Sequence, residues 1–422
     1  MGFMDNLMSA SATKFGKAGC YVAPEFEKHL CGMELPHLAL QRLFGSNIFQ
    51  LHTIMEFAGP KGSGKSSFAF FILALFLVQD YYGVLIETEN KLSPSLLLSI
   101  LGPKLFERLV IWEKCTKQEM WQDKMTLTIK EYAKAYNKSL TAHNEALRRI
   151  AKCTRQASKD KIVVPPVEPP LLIVLDSLGG PPAEASLAAI QADGHASKSY
   201  PAEALNNSKY FSNLPELIRD VPITILYTNH KMLDLGADDY GEKDKSKGGA
   251  TPAFFCSHRV FFDEMGAVSN PRIGHFEQFL RFKCVKNSLN QRGPMMRLLM
   301  EWDKWVEEDD EKQSTRFGWP ELLVQILAPD GGKYTYDREK VKEFLTVTFR
   351  TKVKYDCPEL GLKDASPREV GEAIEKDPVK SRQVAPFIGV KKWQVFDVNN
   401  PPVGRFDEEP AKKEKKKDEK PK

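Results

Sequence analysis

The clearest chemistry in this sequence lies in one short stretch. Gly59-Pro60-Lys61-Gly62-Ser63-Gly64-Lys65-Ser66, followed by Ser67, matches the pattern G-x-x-x-x-G-K-[S/T]. Its glycines allow successive backbone N–H groups to turn toward phosphate oxygens. A helix starting at its end would add the positive end of its dipole. Lys65 would then reach the β- and γ-phosphates of a nucleoside triphosphate, and Ser66 would ligate Mg²⁺. A pattern with so few fixed positions can arise by chance, so its context decides. Here a β-rich stretch precedes it and a strongly apolar one follows.

Three further places could complete a phosphoryl-transfer site. Asp176 closes Leu171–Asp176 (LLIVLD), a buried-strand sequence. An acid at that tip suits Mg²⁺ held through water; the alternative is an ordinary helix N-cap. Glu89, in Glu87-Thr88-Glu89, could orient and deprotonate an attacking water, or be a solvated loop acid. Asn229-His230 ends Ile223–Thr228 (ITILYT) and could sense a γ-phosphate, or form a plain turn.

The surrounding pattern predicts elements that could hold these groups. Gln50–Phe57 reads as a strand, Ser66–Asp80 as a helix and Val84–Glu87 as a strand. That order opens a mainly parallel, twisted α/β sheet. Arg259–Glu264, Glu277–Lys286 and Met295–Trp302 extend it. Lys114–Asp160 has no Gly or Pro and reads as a helical insertion of one or two helices, as a hairpin. It is either a solvated face or a DNA or partner contact through Lys130, Lys134, Lys138, Arg148, Arg149, Lys152 and Arg155. Gly179–Asn207 and Lys231–Pro252 are polar, Gly-containing stretches, long for connectors. The expected organisation is an N-terminal segment at 1–49, a core at 50–310 with the insertion at about 114–160, a small α/β C-terminal domain at 311–406, and a disordered charged tail at 407–422.

Composition narrows the classes. The formal charge of +4 is nearly balanced, so any basic surface is local. The seven cysteines are scattered without a Cys-x-x-Cys pair, which speaks against a zinc site or disulfide framework. The longest apolar run, Phe68–Val78, falls short of the roughly 20 residues of a membrane span. Met1–Lys17 has no apolar core segment, so no signal peptide is expected. A cytoplasmic protein without membrane partners is the expectation.

Taken in order, the blocks GPKGSGKSS, ETEN-x-LSP, IVLDSLGG, YTNH and KGGATPAFFCSHRVFF resemble the RecA-type DNA recombinases, closest to their phage, UvsX-like branch. Leu35–Ala39 (LPHLA) resembles that branch too. The likeness spans about Glu34 to Trp302, interrupted by the insertion.

The resemblance implies a RecA-like P-loop ATPase core and a DNA-dependent ATPase with ATP and Mg²⁺ as cofactors. It implies helical filaments of this chain on single-stranded DNA, pairing and strand exchange with double-stranded DNA, and an oligomerisation role for residues 1–49. A single-strand binding protein and a loading mediator would be further partners, in the host bacterial cytoplasm if the chain is phage-encoded. Glu89 matches the family's catalytic glutamate, and Asn229 and His230 its nucleotide sensor. The two polar stretches match its DNA loops, at about 180–207 and 231–252, where Lys231, Lys243, Lys245 and Lys247 of the second could meet phosphates. Lys286 takes the first of two basic positions that reach a neighbour's γ-phosphate, while Ser288 holds the second and Arg292 stands nearby. Leu96 occupies the place of the adenine-stacking tyrosine, with Ser93 in place of an acid. Two other readings share the motif: a RecA-fold hexameric helicase or motor, and a recombination mediator that binds ATP and scarcely hydrolyses it.

Overall fold

The computed structural model describes residues 30–36, 38–153, 161–193, 200–233, 244–270, 275–289, 295–307, 310–318, 346–348, 354–358, 361–365, 369–370, 373, 377, 379 and 390–401. Its strands, in chain order, are β1 (Cys31–Glu34), β2 (Ile48–Gln50), β3 (Thr53–Gly59), β4 (Tyr82–Glu87), β5 (Val110–Trp112), β6 (Leu171–Asp176), β7 (Ile223–Leu233) and β8 (Asp244–Ser246). They continue as β9 (His258–Asn270), β10 (His275–Asn287), β11 (Met295–Glu307), β12 (Asp310–Gly318), β13 (Thr346–Thr348), β14 (Lys354–Cys357), β15 (Leu362–Ala365) and β16 (Gln394–Val395). The helices are α1 (Leu38–Phe44), α2 (Lys65–Val78), α3 (Pro94–Leu101), α4 (Pro103–Phe106), α5 (Gln118–Lys152), α6 (Glu184–Asp193), α7 (Tyr200–Ile218) and α8 (Ala250–Phe255).

The fold is mixed α/β around one large sheet. Its parallel part runs β9-β3-β7-β6-β4-β5. Beyond β9 the strands β10, β11 and β12 add an antiparallel meander. Parallel neighbours need crossover helices, and helices on a sheet bury its strands on both faces. That is why Leu171–Leu175 is an unbroken apolar run, at most 2% exposed. The sequence placed this strand to the residue. It ended β7 at Thr228 and made β9 to β11 shorter than they are. β9, β10 and β11 each set charged residues among their apolar ones, which hides the apolar period.

Helix α2 is apolar around its whole circumference, as a buried helix should be. Its Phe68 ring lies 5.5, 5.6 and 5.0 Å from those of Phe57, Phe262 and Phe282. These rings join α2 to β3, β9 and β10 just behind the Gly59–Ser66 loop. Phe68→Ala should therefore destabilise the protein by about 3–5 kcal/mol, the usual cost of emptying a buried aromatic site. Urea unfolding measures it, and a loss under about 1 kcal/mol would deny the cluster its anchoring role.

The insertion differs from expectation. It is one 35-residue helix, α5, and not a hairpin. No Gly or Pro lies within it to break it. Nor is it merely solvated. Trp121, Met125, Ile129, Tyr132, Tyr136, His143 and Ala146 recur at helical spacing and are buried. The Trp121 ring meets Tyr210 of α7 at 5.3 Å, and Tyr132 meets Tyr82 of β4 at 6.4 Å. The aromatic period was legible beneath the lysines. Lys130, Lys134, Lys138, Arg148, Arg149 and Lys152 lie exposed on the opposite side; Arg155 is outside the described residues.

The chain's later part returns to this body. β16 pairs with β1 in a small sheet with β2. Tyr81 Oη donates to the Phe396 carbonyl at 3.1 Å, and the Val167 amide to the Val398 carbonyl at 2.9 Å. So β12 and residues 390–401, assigned by sequence to a C-terminal domain at 311–406, are bonded to the main sheet or its flank. β13, β14 and β15 form a separate antiparallel sheet. Residues 1–29 and 407–422 are outside the described residues. Among the described residues no helix is long and apolar enough to cross a membrane.

Candidate functional site

The parallel register aligns four strands at this end of the sheet. Gly59 of β3 stands opposite His230 of β7, and Asp176 of β6 opposite Glu87 of β4. The carboxyl ends of parallel strands are where such sheets collect ligands.

The Gly59–Ser66 loop joins β3 to α2 here. A Cβ on Gly59 would sit 2.6 Å from the Phe262 carbonyl oxygen. Gly64 has φ +75°, and a Cβ there would lie 2.4 Å from Leu280 Cδ1. Only glycine fits either place. Pro60, Lys61 and Gly62 form the exposed crest, while Ser63 and Ser67 are buried. Lys65 crosses the loop from inside. Its Nζ donates to the Pro60 carbonyl at 2.6 Å and to Ser63 Oγ at 3.4 Å. Burial lowers the Lys65 pKa, opposed by the charges of Asp176 and Glu89. Both carboxylates thus act on this lysine.

Ser66 Oγ donates to Asp176 Oδ1 at 3.0 Å, and Thr228 Oγ1 donates to the same oxygen at 2.5 Å. Burial raises the Asp176 pKa, and the two hydroxyls pull it back. The next helix starts only at Glu184, so Asp176 is not its N-cap. A divalent cation fits this donor set. One carboxylate beside one hydroxyl, completed by ligand phosphate and water, is how Mg²⁺ is commonly held. Among the described residues no cluster of three or more His, Cys, Asp or Glu side chains offers a denser metal site.

Glu89 is no solvated loop acid. Its side chain is 26% exposed. Oε1 accepts from Ser177 Oγ at 2.6 Å and lies 3.4 Å from His230 Nε2, while Oε2 meets Lys91 Nζ at 3.2 Å. These partners hold its pKa well below the usual carboxylate range. The His230 contact is the largest cause, against an opposing effect of burial. At 3.4 Å it is long for a hydrogen bond, and the Ser177 contact is the firmer one. The Asp176–Ser177 peptide is cis.

His230 and Asn229 separate in role because alternate strand residues face opposite ways. His230 meets Glu89. Asn229 is 1% exposed. Its Nδ2 donates to Glu56 Oε1 at 3.0 Å and to the Lys247 carbonyl at 2.8 Å. Asn229 therefore acts as a brace, on the face of β7 opposite to that of His230. The pair is no turn, since β7 runs on to Leu233.

Two assigned residues stand apart. Lys286 Nζ donates to the Ala253 and Phe254 carbonyls at 3.3 and 2.7 Å, closing the last turn of α8. A lysine at a helix C-terminus satisfies carbonyls that have no partner within the helix. Burial lowers its pKa. Leu96 sits half-buried in the first turn of α3, where its amide donates to Ser93 Oγ at 3.3 Å. Arg292 is outside the described residues.

The two polar stretches are more regular than expected. α6 and α7 occupy most of Gly179–Asn207, with 194–199 outside the described residues. In the second, β8 pairs back antiparallel on the end of β7, Lys231 opposite Ser246. Residues 234–243, with Lys243, are outside the described residues. Lys231 folds onto the sheet, 3.6 Å from Asp263 and over the Phe261 ring.

Sequence reasoning missed three supporting groups, Ser177, Thr228 and Glu56. Ser177 and Thr228 hold the two acids. Glu56, 0% exposed, pairs with Arg259 at 2.5 Å and carries Asn229. An acid inside the apolar strand TIMEFAG was the visible signal. Lys247 Nζ donates to the Gly179 carbonyl at 2.8 Å. It lines a cleft of about 410 Å³ with Glu89, Lys91, Cys115 and His230. No protein-family model and no curated protein matches the chain.

Proposed function

We propose that this chain is an ATP-dependent DNA recombinase with a RecA-like P-loop core. It binds ATP with Mg²⁺ at Gly59–Ser66, assembles as a helical filament on single-stranded DNA, and pairs that strand with homologous duplex. The observation that carries the reading is the contact between Glu89 and His230. It ties the acid beside Lys65 to a strand, β7, that runs directly into the 231–249 segment. A nucleotide's γ-phosphate and a DNA-contacting segment would then meet through one side-chain pair.

In this reading Lys65 neutralises phosphate charge, and Ser66 and Asp176 hold the metal, which supplies further charge neutralisation. Glu89 orients the attacking water. Positioning and electrostatics provide the rate. Residues 1–49 serve filament assembly. A single-strand binding protein and a loading mediator are the expected partners in the cytoplasm of the host cell.

Phosphate release with and without single-stranded DNA tests this. Stimulation of at least roughly tenfold is expected, given the 5- to 150-fold range of typical site-to-site coupling. Electron microscopy with a non-hydrolysable ATP analogue separates the motor reading: helical filaments are expected, and closed six-membered rings would sink the proposal. One observation favours the weakly hydrolysing mediator as the second reading. Lys286 is bound to carbonyls of its own chain, and Ser288 Oγ meets Gln50 Oε1 at 3.2 Å, so both are engaged within the protomer. ATP binding without DNA-stimulated release would choose it.

A further inference from the structure

The first turn of α5 touches both ends of the first polar segment and, through Asn207, the root of the second. The Gln118 amide donates to the Pro182 carbonyl at 2.9 Å. Glu119 Oε2 accepts from the Glu184 amide at 3.0 Å, and its Oε1 from Asn206 Nδ2 at 2.9 Å. The Gln118 side chain is buried and donates to Asn207 Oδ1 and to the Glu203 carbonyl. Asn207 Nδ2 in turn donates to the Gly248 carbonyl at 3.2 Å. Gly248 has φ +93°, and a Cβ there would lie 2.9 Å from Asn207 Nδ2, so the approach is close.

The next residue reaches the candidate site. The Lys247 amide donates to the His230 carbonyl at 3.1 Å, and the Lys247 carbonyl accepts from Asn229 Nδ2. Lys247 Nζ closes the circuit on Gly179, at the root of the first segment. A buried amide pair costs stability unless every donor and acceptor is met. Here they are met by the Glu203 and Gly248 carbonyls and, at Gln118 Oε1, by Asn206 Nδ2 at 3.3 Å. Apolar packing between α5 and α7 alone, as at Trp121 and Tyr210, would not require that link.

We infer that the first turn of α5 is a clamp that positions Gly248 and Lys247 against His230, and so regulates hydrolysis by what the two polar segments hold. Gln118 and Asn207 are its positioning residues. The regulatory half rests on the proposed function; the clamp itself does not. Asn207→Asp tests both. It keeps the size and the acceptor for Gln118 but sets an oxygen against the Gly248 carbonyl.

Without nucleotide, hydrogen exchange at residues 244–249 should quicken roughly tenfold, with β3 and β6 unchanged, as for a local opening. Basal phosphate release should stay within about twofold, while the DNA-stimulated rate falls roughly tenfold, inside the usual range of coupling. Gln118→Ala should behave alike, and the double variant no worse than either, since both break one network. Unchanged exchange at 244–249 would overturn the clamp. Basal and stimulated rates falling by one common factor would reduce it to a packing contact. A parent protein with no DNA stimulation would overturn the proposed function and the regulatory half together, with the exchange measurement still deciding the clamp.

Discussion

Lys65→Ala is expected to leave a folded protein that no longer holds a nucleoside triphosphate usefully. Lys65 is 8% exposed and its ammonium points into the Gly59–Ser66 loop, where it meets the Pro60 carbonyl and Ser63 Oγ. Burial lowers its pKa, so the charged form is held there at a desolvation cost. Removing a desolvated charge costs the fold little. A bound phosphate, in contrast, loses a charge-assisted hydrogen bond worth about 1.5–3 kcal/mol, so affinity should fall roughly 10- to 150-fold. Turnover should fall further, by roughly 10²–10³, because the charge that moves during transfer loses its fixed partner. Titration calorimetry with an ATP analogue and phosphate release measure the two effects, with circular dichroism checking the fold. Affinity within twofold of the parent would remove Lys65 from the site.

Glu89→Gln should separate chemistry from binding. Glutamine keeps the length and can still accept from Ser177 Oγ, so the local geometry survives. What it loses is the negative charge beside the position of an attacking water. General-base catalysis is worth about 10²–10⁴ in rate. The low pKa of Glu89 makes it a weak proton acceptor, so orientation of the water dominates and the loss should sit near the low end, about 10². Nucleotide affinity should change less than about threefold, because the interaction belongs to the transition state. Single-turnover phosphate release beside equilibrium binding distinguishes this from Lys65→Ala. Equal losses in both assays would make Glu89 a structural acid held by Ser177 and His230. With hydrolysis slowed, assemblies formed on single-stranded DNA in ATP should outlast those of the parent.

These outcomes rest on groups that differ in how far they were legible beforehand. The loop could be read directly, since glycine is demanded at Gly59 and Gly64 by close approach and the apolar helix follows at once. Leu171–Asp176 was legible because a strand buried on both faces has no polar face to blur it. Asp176 and Glu89 were visible as acids at strand ends. The partners that make Glu89 more than a solvated acid were not, because Ser177 and His230 come from distant strands.

Other features needed the third dimension for the same reason. That Asn229 braces Glu56 while His230 faces Glu89 follows from strand alternation, which the sequence could express only once β7 was known to run on to Leu233. The single long α5 was masked by its lysines, although its aromatic spacing was present. Lys286 could be aligned by motif, yet only the end of α8 beside it revealed that its donors are engaged.

By itself, then, the sequence determined the glycine-rich turn at Gly59–Ser66, the strand–helix alternation around it and the acids near the strand ends. Those depend on local backbone demands and on hydrophobic period. Tertiary structure alone decided which acid meets which base, where the Lys286 ammonium goes, and that the insertion's first turn is linked through Asn207 to Gly248. Each of these is a contact between residues far apart in the chain, set by strand order and register, and no local pattern encodes the partner.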